Sequence, residues 1–342
     1  MTSLLIRSLH LGGLAALAFG SLFTLRPPVQ AAENDDPFEF LVMGCMPYHM
    51  PADAERFEHV ISTANEIGPT FSVHVGDTKY GMAPCDDEAY PVILDRFERF
   101  THPLIYVPGD NEWTDCHTPM GGGFDPVNRL DLVRRMFFPE GRSLGKPPRP
   151  LTSQSTLHPE YETFVENNQW SHHDILFSTL HVVGSNNNAR TKDPAAMKEF
   201  ELRDAASIAW LKASFSEASK LNSAALVLFI HGNPFAENTR KTEPRGTGFA
   251  NFVPALVREV QAFSKPVYLF HADSHYFRID KPLISSTGRT LENFTRIETF
   301  GGHNLHLIRV MANPRASEPL VAFPHLIKAN RVDPSAPLPG KK

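Results

Sequence analysis

Apolar and polar positions alternate in blocks along this chain. "FEFLVMG" (38–44) is an apolar run closed by glycine and reads as a buried strand. "ADAERFEHVISTANEIG" (52–68) carries apolar residues at helical spacing and ends on Gly68. "TFSVHVGD" (70–77) is again a strand, "DDEAYPVILDRFERF" (86–100) a helix broken near its start by Pro91, and "PLIYVPGDNEW" (103–113) a strand running into a loop. A helix with Pro near its first turn follows at 126–138. Residues 139–170, rich in Pro, Ser and Thr, read as an insertion. Beyond it come a strand or hairpin (175–187), an amphipathic helix (205–220), a strand opening into "HGNPF" (223–235), a helix (252–263), a strand and loop (266–277), and strand pairs from 289 onward.

The order β-α-β-α-β-α, then further strands and helices, predicts an α/β fold whose sheets are buried by helices, with an added antiparallel part. No internal repeat or low-complexity block interrupts it. The chain has 342 residues, 42% hydrophobic and 21% charged, as expected of a globular protein with a large core.

The first 32 residues stand outside that pattern. Arg7, a short apolar core (11–25) and small residues ending in Ala31 and Ala32 have the order of a secretory signal peptide. A single membrane anchor is the competing reading, but the apolar run is short for a bilayer span. The expectation is an exported protein, periplasmic or secreted, with no stable span after cleavage and a polar tail at 331–342. Cleavage removes Arg7 and Arg26 and no acid, taking the formal charge from -5 to -7. Such a chain is a poor nucleic-acid binder. Export permits a disulfide. Cys85 and Cys116 lie in loops that follow strands of one predicted sheet and are the preferred pair; spacing alone leaves the other pairings of Cys45, Cys85 and Cys116 open.

Five predicted strand ends finish in potential metal ligands: Cys45, Asp77, Asp110, His231, and Asp273 with His275. The carboxyl ends of strands are where sites assemble in open α/β sheets. Each alone has an ordinary explanation, since Gly-Asp after a strand is usually a turn. Together, and in this order, they resemble the calcineurin-like metallophosphoesterase superfamily, which includes purple acid phosphatases. The resemblance covers about residues 38–312. "GDTKYG" fits the second motif, with Tyr80 at the tyrosine variant; "PGDNEW" puts Asp110 and Asn111 where the family has Asn and His. "FIHGNPF" supplies the lone His, and "HADSHYF" puts Asp273 in place of the first His of the last motif. Cys45 falls on the Asp of the first motif.

The resemblance implies a four-layer α/β/β/α sandwich of two mixed β-sheets flanked by helices, over residues 33–330. It also implies two divalent or trivalent transition metals (Mn, Fe or Zn). Cys45, Asp77, Tyr80 and His275 would hold one, and Asp77, Asp110, His231 and Asp273 the other. The implied activity is hydrolysis of a small phosphate mono- or diester by metal-bound hydroxide, with Asn111 and Arg190 orienting phosphate oxygens. Asp at 110 and 273 favours oxygen-preferring cations, whereas a thiolate favours zinc. Asn111 donates a hydrogen bond but carries no proton. Cys45 is therefore open to three readings: an unusual ligand, a lost ligand, or the mark of a fold that has given up catalysis and acts as an exported binding or surface protein.

Three other stretches carry weaker expectations. "VGSNNNARTKD" (183–193) reads as a solvated loop rather than a pocket wall. His172 and His173 are adjacent, so on an extended segment they face opposite ways. "RKTEPRGTG" (240–248) reads as a basic lip or a solvated loop.

Overall fold

The computed structural model describes residues 36–236, 242–333 and 335. The segment expected to be a signal peptide, Arg240, Lys241 and most of the 331–342 tail lie outside the described residues. Among the described residues, thirteen strands form two sheets. They are β1 (Phe38–Met43), β2 (Phe71–His74), β3 (Pro103–Tyr106), β4 (Leu144–Gly145), β5 (Thr152–Ser153), β6 (Asn168–His172), β7 (Ile175–Thr179), β8 (Ala225–Phe229), β9 (Val267–His271), β10 (Arg278–Asp280), β11 (Phe294–Glu298), β12 (Leu307–Ala312) and β13 (Leu320–His325). The first sheet runs β13-β12-β1-β2-β3-β4, the second β10-β11-β9-β8-β7-β6-β5. Both are mixed. Strands β1, β2 and β3 are parallel neighbours in one, and β7, β8, β9 and β11 in the other.

Alternation along the strands builds the layers. On β1, Phe40 and Val42 enter the core between the sheets with Phe71, Phe177, Phe229 and Phe270. Leu41 and Met43 turn the other way, beneath α1 (Ala54–Ile67), α2 (Ala89–Phe97) and α3 (Pro126–Phe137). On the far side, Leu226 and Leu228 of β8 pack with Trp210 and Leu211 of α4 (Pro194–Lys220) and with Leu256 of α5 (Phe252–Ala262). The result is the expected α/β/β/α sandwich. Apolar side chains on both faces of the central strands explain why these strands read as continuous apolar runs.

Local chemistry corrects several expected boundaries. Pro91 sits in the first turn of α2 and does not break it. Helix α4 begins eleven residues before the amphipathic stretch, because the Asp193 carboxylate accepts from the N–H groups of Ala195 and Ala196 and Pro194 opens the first turn. His172 and His173 do not face apart: their rings stack at 4.0 Å. His173 and Asp174 both have positive φ and form the two-residue turn of the β6–β7 hairpin. The 139–170 stretch links the sheets, giving β4 to the edge of the first and β5 and β6 to the edge of the second.

The structure joins Cys85 to Cys116, 31 residues apart, and leaves Cys45 buried and unpaired. The disulfide ties the loop after β2 to the loop after β3. Chain-entropy arguments put the worth of a bridge closing a loop of this size at about 3–4 kcal/mol. Urea denaturation of the Cys85→Ala/Cys116→Ala double variant should show a loss of that order.

Candidate metal centre

The parallel strands of both sheets deliver their carboxyl ends to one place. From β1 comes Cys45, from β2 Asp77, from β3 Asp110 and Asn111, from β8 His231, and from β9 Asp273 and His275. Gly109 makes the approach possible: a Cβ there would lie 2.2 Å from an Asp77 oxygen. Cys45, Asp77, Asp273 and His275 all have φ between 53° and 73°. Non-glycine residues in the left-handed region cost about 1–3 kcal/mol each and persist where the surrounding structure holds them. Four such residues around one point mark a site built against local preference.

The polar contacts are close. His231 Nδ1 lies 2.7 Å from the Val75 carbonyl, so it carries the proton and donates. That leaves Nε2 facing Asp110 Oδ1 at 2.9 Å and Asp77 Oδ1 at 3.4 Å. The other Asp77 oxygen faces away from His231: Oδ2 lies 3.8 Å from Cys45 Sγ and 2.7 Å from the Tyr48 hydroxyl. Tyr48 Oη is also 2.7 Å from His275 Nε2. The Asp273 amide donates to Cys45 Sγ at 3.3 Å, and Arg245 Nη1 lies 3.2 Å from Asp273 Oδ2.

Two groups of three donors result, each with its ligating atoms within 4.8 Å of one another: Cys45, Asp77 and His231, and Asp110, His231 and Asp273. A single imidazole nitrogen serves one cation, whereas a carboxylate whose two oxygens face opposite sides is suited to bridging. Asp77 has that disposition. Electrostatics agree with the donor geometry. Burial pushes the Asp77 carboxyl above the usual range, and burial and the Asp77 charge push the Cys45 thiol up. Burial disfavours a charged His231, but the Asp77 and Asp110 carboxylates outweigh it and hold His231 well above the ordinary imidazole range. The clustered carboxylates thus favour positive charge at this point, a role a bound cation would fill. Gly184 completes the cradle: a Cβ there would stand 2.7 Å from an Asp273 oxygen and 2.8 Å from both Asp110 oxygens. The residues present fit a metal.

Three expected roles change. Tyr80 lines the cavity, but the phenol that reaches Asp77 belongs to Tyr48. Asn111 spends its amide N–H groups inward, on Asp77 Oδ2 at 2.8 Å and the Lys79 carbonyl at 2.9 Å, while its backbone N–H donates to Asp77 Oδ1 at 3.1 Å. It therefore fixes the carboxylate and offers the cavity no amide hydrogen. Arg190 is held by Asp193 at 2.8 Å and the Thr114 carbonyl at 3.3 Å. Sequence reasoning missed Tyr48, although it stands three residues after Cys45.

The 183–193 stretch is not a solvated loop. Ser185 to Asn188 run through four consecutive left-handed residues, with Asn187 and Asn188 buried. This turn sets Gly184 against the carboxylates and lets Ser185 Oγ donate to Asp115 at 2.8 Å. A cavity of about 480 Å³ opens above the donors, lined also by Tyr48, Tyr80, Met82, Asn111, Asp115 and Met120.

The chain has the fold of the calcineurin-like metallophosphoesterases. Among solved structures it is similar to a dimetal phosphatase from Danio rerio, at TM-score 0.52 and 12% identity, over 85% of this chain and 100% of that one. A purple acid phosphatase from yellow lupin (Lupinus luteus) seeds aligns over 87% of this chain and 53% of its own, at TM-score 0.48 and 11% identity. GAP50, the anchor in the inner membrane complex of Plasmodium, aligns over 85% and 89%, at TM-score 0.46 and 10% identity. No protein-family model matches the chain, and no curated protein does.

Proposed function

We propose that this protein hydrolyses phosphate mono- or diesters with the help of two transition-metal cations. The observation that carries the reading is the pair of donor groups at the strand ends, Cys45, Asp77 and His231 beside Asp110, His231 and Asp273, where four backbones are held in the left-handed region. Cys45, Tyr48, Asp77 and His275 would hold one cation, and Asp110, His231 and Asp273 the other, with Asp77 between them. When bound, such cations lower the pKa of water and neutralise charge on phosphoryl oxygens.

The chain's own residues position everything else. Asn111 holds both oxygens of Asp77, and the Val75 carbonyl fixes the His231 tautomer so that Nε2 faces inward. Arg245, 3.2 Å from Asp273 Oδ2 and half exposed, would offer a phosphate oxygen a cationic partner beside that ligand. Cys45 is read as a ligand: at the end of the apolar core its sulfur accepts an N–H and faces the Asp77 carboxylate. That donor favours zinc, while the carboxylates accept Mn or Fe. The inward commitment of Asn111 favours a second reading, an exported binding or surface protein that has kept the fold and lost turnover. The disulfide fits export, to the periplasm or beyond, and the cavity fits a small phosphate ester rather than a nucleic acid.

The test loads purified protein with Zn²⁺ or Mn²⁺. One to two equivalents by elemental analysis, with hydrolysis of an aryl phosphate that a chelator stops, is the expected result. With Co²⁺, a thiolate-to-metal absorption band should appear and vanish in Cys45→Ser. Stoichiometric metal without turnover supports the second reading, and failure to bind metal ends the first.

A further inference from the structure

The wall of the cavity facing the donors is made of Met82, Pro119 and Met120 beside the Tyr80 ring. Met82 is 46% and Met120 58% exposed, large apolar surface left open to water beside a polar site. The two methionines come from different loops, one after β2 and one after β3, and those loops are fastened together. Cys85 and Cys116 are bonded, the Cys85 amide donates to the Gly121 carbonyl at 3.0 Å, and the Gly121 amide donates to Thr118 Oγ1 at 3.0 Å. Met82 and Met120 thus stand a few residues from either half of one covalent clamp, so the apolar patch keeps its place relative to Asp77 and Asp110.

Two polar groups on the same wall, Asp115 Oδ1 and the Asn111 amide, are committed elsewhere. Asp115 Oδ1 accepts from Ser185 at 2.8 Å and from Thr114 at 3.0 Å, and the Asn111 amide hydrogens point to Asp77 and Lys79. A sugar or a base would find little there to read it, and a second phosphate would meet the Asp115 carboxylate. An apolar ring would instead find two thioethers and a phenol, side chains that adapt to irregular shapes and contact aromatic faces favourably.

We propose that Met82, Met120, Pro119 and Tyr80 form a subsite for an apolar, ring-bearing alcohol, so that the preferred substrates are phosphate esters of such alcohols. This rests on the phosphoesterase reading above. The metal-loaded full chain is assayed with 2-naphthyl phosphate and glycerol 2-phosphate, and its binding of naphthylphosphonate and methylphosphonate is measured by calorimetry. The expected result is a clear advantage for the naphthyl compound in both kcat/KM and Kd. That advantage should shrink about tenfold in Met82→Ser/Met120→Ser and persist in Met82→Leu/Met120→Leu. Equal kcat/KM for the two esters, or equal affinity for the two phosphonates, would overturn the subsite. If neither ester is hydrolysed, the phosphoesterase reading fails, and the phosphonate pair still decides the subsite: tighter naphthyl binding lost in the serine variant upholds it, and its absence overturns it.

Discussion

His231→Ala should bind metal far more weakly and lose at least about 10³ in kcat/KM, with Asp77→Asn close behind it. Metal-assisted stabilisation of a phosphoryl transition state is worth several kcal/mol, and each 1.36 kcal/mol is a factor of ten. His231 is fully buried with Nδ1 tied to Val75, so Nε2 has one direction to point and no other side chain stands in its place. Removing it leaves Asp77 and Asp110 facing each other without the ring that now separates them. Asp77→Asn keeps the shape but takes away the charge and the second ligating oxygen. Metal titration, read before any assay, should show both defects, and Asp77→Asn should weaken two equivalents together if that carboxylate bridges. A wild-type metal isotherm in either variant would sink the proposed site.

Much of this site was legible in the sequence because strand ends are easy to read. In three cases a glycine after an apolar run sets where the strand stops and the next side chain, Cys45, Asp77 or Asp110, is delivered to the sheet's edge; His231 and Asp273 end their apolar runs without a preceding glycine. The layers were legible because β8 and most of β1 and β9 are apolar on both faces. The less legible part depends on long-range contacts. Nothing in "CMPYH" says that the Tyr48 hydroxyl meets His275, 227 positions away. Asn111 looked like a donor to phosphate because the nearest carboxylate, Asp77, lies 34 positions earlier in the chain. The run Ser185–Asn188 reads as loop by composition, since Asn and Ser favour turns, yet its second half, Asn187 and Asn188, is buried and the run is held in one hand by partners on α4 and near Gly248.

Arg203 is the most consequential of those partners, and Arg203→Leu should cost about 3–5 kcal/mol in stability. Its side chain is fully buried, in the middle of α4. The guanidinium donates to Glu199 Oε1 at 2.7 Å, to the His181 carbonyl at 3.0 Å, and to Asn187 through both its side-chain oxygen (2.5 Å) and its carbonyl (2.9 Å), and it lies over the Trp113 ring. Leucine fills much of the volume but removes the cation from the half-buried Glu199 carboxylate and one donor each from the His181 carbonyl and both Asn187 oxygens. A left-handed run is unfavourable by about 1–2 kcal/mol per residue, so Ser185–Asn188 keeps its shape only while Arg203 and the asparagine contacts hold it. Thermal unfolding should move down by roughly 10 °C. Metal affinity should fall as well, because Gly184, the residue against Asp110 and Asp273, is carried by that turn. Arg203→Lys should recover little of either property, since an ammonium lacks the planar fork that reaches Glu199 and Asn187 together. A variant that melts within 2 °C of wild type by calorimetry (an allowance of about 1 kcal/mol) would show that the turn stands without the guanidinium.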